Sequence, residues 1–401
     1  MIAHRLSRID HLRAIAALLV ATWHFTHTYV SPKVVPVWGI LSIFEEGYTG
    51  VSLFCVISGF IFTYLYTDRL IPYAAFIRKR LLRIAPLFVF ILALSYYVSP
   101  WDNSSVLAMF LTTLYRGGLP SYIGPGWSVL IEFQFYFVFP FLLLFARQYG
   151  IRYLAGLLML FIAVRCLVFV STRSVQFLAY YSIFGRIDQF LCGMIVAIVL
   201  KDPKWSSPFQ RSSLLNVTGF LVALTSVAVL FWWFNVNGGF ENFDGGTFPV
   251  RSAIWIYFPT VEAVLYALLL GFYMVVPALP GTRALSATFA FLGLISYSIY
   301  LDHLLLFPFV HWLIATTGFV PATWEHAELL ALFVAVPLLV VVASATYFMI
   351  ERPFLRIKDT PDFSEDDPTL VGGGARVVVT GEEAHTHGTT AKGLPKVPPA
   401  G

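Results

Sequence analysis

Ten apolar stretches recur along the chain, each long enough to cross a bilayer. A membrane-spanning helical bundle is the structure that satisfies the backbone of runs like these. Their limits, read from the residues, are 12–30, 48–67, 83–99, 126–147, 152–170, 180–200, 213–234, 255–276, 286–316 and 328–350. Only 12% of the 401 residues are charged and 58% are hydrophobic, whereas soluble domains carry about 25% charge. Soluble α/β and all-β readings are thereby excluded, and the expected fold is an all-α polytopic transmembrane bundle. The stretch 286–316 is longer than one span needs, and Pro308 is expected to bend or end it. The apolar run 104–116 is too short to cross and is expected to be re-entrant or interfacial.

Lysine and arginine set the orientation. With the N-terminus in the cytoplasm and ten spans, seventeen basic residues fall inside and six fall outside or in outer span halves, leaving out the C-terminal tail. Both termini are then cytoplasmic. The start of the chain resembles a signal peptide, but no small-x-small cleavage site follows its apolar core, so it is read as an uncleaved first span. After residue 358 the composition turns polar and rich in Gly, Thr and Pro, and 359–401 is expected to be a disordered cytoplasmic tail following a transmembrane domain at 1–358. His385 and His387 lie in that tail and are read as solvated. Cys55, Cys166 and Cys192 all sit in apolar runs with neither a disulfide framework nor metal-ligand spacing, so no metal is expected.

An ionisable group inside a span is costly and marks function or a buried pair. The first span carries Arg13 at its cytoplasmic end and His24 eleven residues on, about 16 Å further along a helix. Counting depth in each span places His24, Glu132, Arg186, Asp188, Asp302 and His303 in one layer at or just outside the midplane, with Ser58 near the middle of the second span. Structural pairs account for part of this, Arg186 with Asp188 or with Glu132. Two histidines and three carboxylates at one depth point instead to a functional cavity. A second layer lies at the cytoplasmic face, where Arg80 and Arg83 share a helix face near Arg13. Two charged layers about 15–20 Å apart suit a donor with phosphates at one end and a reactive thioester at the other, which is the shape of acyl-CoA. A neutral histidine is the natural general base for a hydroxyl attacking that thioester, and a carboxylate is expected to hold its tautomer.

At these residues the chain resembles the acyltransferase 3 family of integral membrane O-acyltransferases, over about residues 8–357. Arg13-x10-His24 is similar to the family's first-span motif. Gly50 to Phe60 is similar to its second-span glycine and serine motif, Arg80 to Pro86 to its cytoplasmic arginine motif, and Trp127 to Tyr136 to its tryptophan–glutamate–tyrosine span. Ser296 to His303 resembles its late histidine span, and Glu351-Arg352-Pro353 its closing motif. The resemblance implies acyl transfer, acetyl from acetyl-CoA in the usual case, to a hydroxyl of a sugar, polysaccharide or lipid-linked glycan. It implies a multi-pass protein of a bacterial inner membrane that modifies the cell envelope, with no nucleic-acid partner. His24 takes the role of catalytic base, and Glu132 and His303 support it. Arg13, Arg80 and Arg83 are expected near the coenzyme. Ser58, Trp127, Tyr136, Arg186, Asp188 and Asp302 are expected to support the acceptor or the structure. Two positions depart from the pattern: Asp302 stands where an apolar residue such as tryptophan is expected, and Ser52 where aspartate is common. A transporter or flippase using the polar layer as a pathway is the alternative, and a scaffold subunit with purely structural charges is a third reading.

Overall fold

The computed structural model describes residues 2–29, 39, 42–98, 124, 126–246, 248–278, 281–318, 321 and 323–358. The run 104–116, Lys33, Arg116 and the tail after 358 lie outside the described residues. Among the described residues all regular structure is helical. Helices α1 (Ile2–Tyr29), α2 (Gly50–Tyr66), α3 (Tyr73–Val98), α4 (Trp127–Tyr149), α5 (Ile151–Thr172), α6 (Ile183–Lys201), α7 (Ser213–Val236) and α8 (Ile254–Val275) follow in order. Then come α9 (Arg283–Leu294), α10 (Ser296–Thr317) and α11 (Trp324–Ile357).

Among the described residues eight helices are long and apolar enough to cross a membrane, counting each of α2, α4 to α8, α10 and α11. Helices α1 and α3, with 28 and 26 residues, also have the length. They fall outside that set while holding Arg5, Arg8, Asp10, Arg13 and His24 in one, and Arg78, Lys79, Arg80 and Arg83 in the other. The all-α polytopic bundle is therefore the observed architecture.

The expected break at Pro308 is placed elsewhere. The helical path is interrupted at Ile295, between α9 and α10, and tightens to a 3-10 turn over His303–Leu306. Pro308 sits in the first turn of the segment that follows, Phe307–Thr317, where its missing N–H costs no hydrogen bond. Helix α11 carries two π turns, Ala331–Ala335 and Tyr347–Glu351.

The tightest seam in the bundle joins α2 and α6, which share its most extensive contact. A Cβ on Gly59 would run into the Phe190 carbonyl, and one on Gly193 into the Val56 carbonyl, so the two backbones touch at reciprocal glycines. In membranes, where lipid is as apolar as leucine, close backbone approach at small residues is a main source of helix association. Helix α8 packs on the other side of α6, and α1 packs against α2 and α9. Gly50 sits on the Ala16 carbonyl and Gly47 on that of Leu19, so α2 runs antiparallel to α1. The start of α1 is pinned by polar contacts. Arg8 donates to the Tyr273 carbonyl (2.7 Å), and His11 bonds Tyr273 Oη (2.8 Å) and the Ser286 carbonyl (3.0 Å).

Replacing Gly59 with valine inserts two methyl groups and a Cβ into a backbone contact. It is expected to destabilise by about 3 kcal/mol or more and to lower the thermal midpoint of the detergent-solubilised protein. Gly156, with open space around its Cα, serves as the control. There Gly→Ala leaves the midpoint unchanged or raises it slightly through helix propensity.

Candidate active site

The polar side chains expected in one layer are divided by the structure among separate sites. The first is a cavity of about 630 Å³, counted with its open mouth, on the side of the bundle where α1 begins. Arg13, Ser58, Arg83, Glu132, Tyr136 and Tyr300 are among its lining residues. Ser58 Oγ donates to Glu132 Oε1 at 2.5 Å. Arg13 also faces Asp10 at 3.5 Å. Two arginines on one apolar-walled opening fit a polyanion, and guanidinium groups bind phosphate as planar multi-donor forks. Arg80, one turn before Arg83, is not on this cavity. Its guanidinium lies 4.8 Å over the Phe62 ring and 5.5 Å over Phe76.

Further along α1 is a pair of imidazoles. The His24 and His303 rings have centroids 4.7 Å apart at 49°. His24 Nδ1 lies 2.8 Å from the Val20 carbonyl one turn back on its own helix. His303 Nδ1 lies 2.6 Å from the Tyr300 carbonyl. A carbonyl only accepts, so each Nδ1 carries the proton and each Nε2 presents a lone pair. The orienting group expected to be a carboxylate is thus a backbone carbonyl in both cases. His303 Nε2 is buried and has no hydrogen-bond partner among the described residues. Two neighbouring acceptors cannot satisfy each other, so the pair is suited to receive a hydroxyl. The 3-10 turn beginning at His303 is the local feature that carries this ring on a break in α10.

Asp302 does not join the pair. It is fully buried, and its Oδ2 accepts from Thr346 Oγ1 on α11 at 2.5 Å. Glu351, turned inward by the π turn Tyr347–Glu351, accepts from Ser298 Oγ at 3.2 Å. Between the cavity and the imidazoles stand Tyr300 and Phe54, with ring centroids 5.9 Å apart. Tyr300 Oη meets Ser128 Oγ at 2.7 Å, and its ring is 5.9 Å from that of His303.

Arg186 and Asp188 belong to two further networks and not to each other. Asp188 pairs with Arg165 at 2.8 Å, both side chains fully buried, and Thr260 Oγ1 donates to the same carboxylate oxygen at 2.6 Å. Arg165 was not among the expected site residues; a lone arginine in an otherwise apolar span was its signal in the sequence. Arg186 donates to Ser52 Oγ (2.6 Å) and the Tyr180 carbonyl (2.8 Å), and its guanidinium lies 4.2 Å over the Tyr180 ring and 5.6 Å from that of Trp127. Ser52 in turn donates to Glu262 Oε2 at 2.8 Å. Ser52, the position where aspartate was expected, thus meets a carboxylate from α8, Glu262, a residue sequence reasoning passed over. Among the described residues no group of His, Cys, Asp and Glu converges as a metal site.

The fold and these sites define an integral membrane protein with a buried histidine pair and an arginine-bearing cavity on one side. The acyltransferase domain family matches residues 6–348, and the chain belongs to this family, acyltransferase 3. No curated protein and no solved structure matches it. The family establishes a membrane acyltransferase.

The Arg165–Asp188 pair generates a stability test. Arg165→Met strands a buried carboxylate and is expected to cost about 3–5 kcal/mol, seen as loss of folded protein on size exclusion. The double change Arg165→Met with Asp188→Leu is expected to recover most of it. Equal loss in the single and double variants would show that the ion pair is not what the fold depends on.

Proposed function

We propose that the protein moves an acyl group, acetyl in the simplest case, from cytosolic acyl-CoA to a hydroxyl of a sugar, polysaccharide or lipid-linked glycan at a bacterial inner membrane. The observation that carries this reading is the His24–His303 pair, with both Nδ1 atoms committed to carbonyls and both Nε2 atoms free to accept. In this reading the acceptor hydroxyl sits at the exposed edge of the pair, against His24 Nε2. His24 Nε2 takes its proton as the oxygen attacks the thioester carbon. The tetrahedral species collapses, the carbon–sulfur bond breaks, and the imidazolium returns the proton to the departing thiolate. His303, whose Nε2 is a lone pair beside it, stabilises the imidazolium that forms on His24. General base catalysis of this kind contributes about 10²–10⁴-fold.

Arg13 and Arg83 take the phosphates of the coenzyme at the cavity, and the thin pantetheine arm reaches the imidazoles past Phe54 and Tyr300. The span from Arg13 to His24, about 16 Å along the helix, matches that division of labour. Glu132 then acts at the donor end, holding Ser58 and balancing the two arginines, and does not meet the reacting carbon. Arg80 supports the arginine helix through its aromatic contacts.

Two measurements test this. His24→Ala, expressed at the wild-type level, is expected to lower acyl transfer by at least 10²-fold, read as acyl content of envelope glycans by mass analysis. Unaltered acyl content would sink the role given to His24. Arg83→Ala is expected to raise KM for acyl-CoA about tenfold while kcat changes less, as a lost charge-assisted contact to phosphate predicts. A fall in kcat with unchanged KM would move Arg83 away from the donor.

A further inference from the structure

Outward of His24 the polar side chains form a patch dominated by hydrogen-bond acceptors. His27 lies one turn further along α1, and its Nδ1 faces the Trp23 carbonyl at 3.0 Å, which leaves Nε2 as a lone pair. Glu45 ends the short helix Ser42–Glu45, is 2% exposed, and neither of its carboxylate oxygens has a hydrogen-bond partner. Glu46 is 4% exposed, packs on Gly239, and has the Asn235 amide, the Phe240 N–H and the Tyr48 hydroxyl as its donors. Glu328, on α11, is 7% exposed and accepts from Thr26 Oγ1 at 2.9 Å. Among the described residues no lysine or arginine forms an ion pair with any of the three.

Aromatic rings enclose the patch. Trp23 lies 4.4 Å from His27 and 5.9 Å from Tyr48, and Trp324 meets His27 edge-on at 4.9 Å. Trp324 is itself buried, with its indole N–H unpaired. Burial first, then the Glu328 carboxylate, pushes Glu45 up to about 8, and burial pushes Glu46 up to about 8 as well. Carboxyls crowded in this way suppress each other's ionisation, and a positive ligand relieves both the burial cost and the repulsion.

We propose that this patch is an acceptor subsite for a protonated amine. The molecule whose hydroxyl reaches His24 carries, about one helical turn outward, a cationic nitrogen that donates to the unpartnered Glu45 carboxylate, in the field of Glu46 and Glu328 and beside the indoles of Trp23 and Trp324. An ammonium group offers three donors and no acceptor, the complement of three carboxylates and an imidazole lone pair. Indole faces attract cations. The side chains run from His24 through Trp23 to His27 without a gap, their ring centroids 4.8 and 4.4 Å apart, so the amine and the reacting hydroxyl belong to one ligand. The inference rests on the acyl-transfer reading of His24 and narrows its acceptor to amine-bearing alcohols such as amino sugars.

The test is direct binding to the full chain in lipid nanodiscs at neutral pH without acyl-CoA, so that it does not depend on catalysis. Glucosamine and N-acetylglucosamine, which differ in the charge on nitrogen, are titrated by saturation-transfer NMR. Glucosamine is expected to bind at least tenfold more tightly. Glu45→Gln and Glu328→Gln, which keep shape and remove charge, are each expected to weaken glucosamine about tenfold and leave N-acetylglucosamine unaltered. Trp324→Phe, which keeps a ring with a weaker face, gives a smaller loss of about threefold and stands in if a glutamine variant fails to fold. Equal binding of the two sugars, or binding of neither, overturns the proposal. Amine selectivity in a protein that transfers no acyl group from any acyl-CoA would overturn the acyl-transfer reading and leave the amine site standing.

Discussion

A charge buried in a membrane protein is tolerated when its counter-charge and hydrogen bonds are within reach, and Arg165 with Asp188 is the clearest instance here. Both side chains are fully buried, and Thr260 and the Gly185 carbonyl complete the set. The pair ties α5 to α6 and α8. The neighbouring network of Arg186, Ser52, Gln189 and Glu262 ties α2 to α6 and α8. These networks pair the charges, and elsewhere buried acceptors stay without a partner, His303 Nε2 and the Glu45 carboxylate among them.

The all-helical, polytopic class was legible from length and apolarity alone, and the family resemblance was legible from six motifs in order. The distance between Arg13 and His24 along α1 was also legible, because the helix rise converts residue spacing into length. Depth was not enough to assemble the site. It fixes height in the membrane but not the direction a side chain faces, and residues of equal height can lie on opposite sides of a helix. Glu132 was counted into the histidine layer and instead lines the cavity with Arg13 and Arg83. Asp302, adjacent to His303 in sequence, faces Thr346, since neighbours on a helix point about 100° apart. The break at Ile295 and the 3-10 turn at His303 had no proline at either place to announce them.

Residues missed by sequence reasoning share a physical reason. Arg165 and Glu262 are single charged side chains in apolar runs, and neither forms a motif with its own neighbours. Their partners come from other helices: Asp188 and Thr260 for Arg165, Thr49, Ser52 and Gln189 for Glu262. A lone carboxylate in an apolar run is a signal in itself, but its partner is visible only in three dimensions. Tyr300 shows the converse. It lay inside a recognised motif, yet its position between the arginine cavity and the imidazoles emerges only from the packing of Phe54 and Ser128 around it.

The glycine seam between α2 and α6 has a mechanical consequence. Gly59 is adjacent to Ser58, so the backbone contact that locks the two helices together also anchors one wall of the arginine cavity. A backbone-to-backbone contact has no side chain to rotate out of the way and gives almost no travel. Any widening that admits a long, thin molecule must therefore be taken up on the opposite wall, by Arg83 and Ile84 of α3 and by Tyr297 and Tyr300 of the interrupted helix α10. One face of the cavity behaves as a fixed jaw and the other as the moving one, and the break at Ile295 sits where a hinge for the moving jaw is needed.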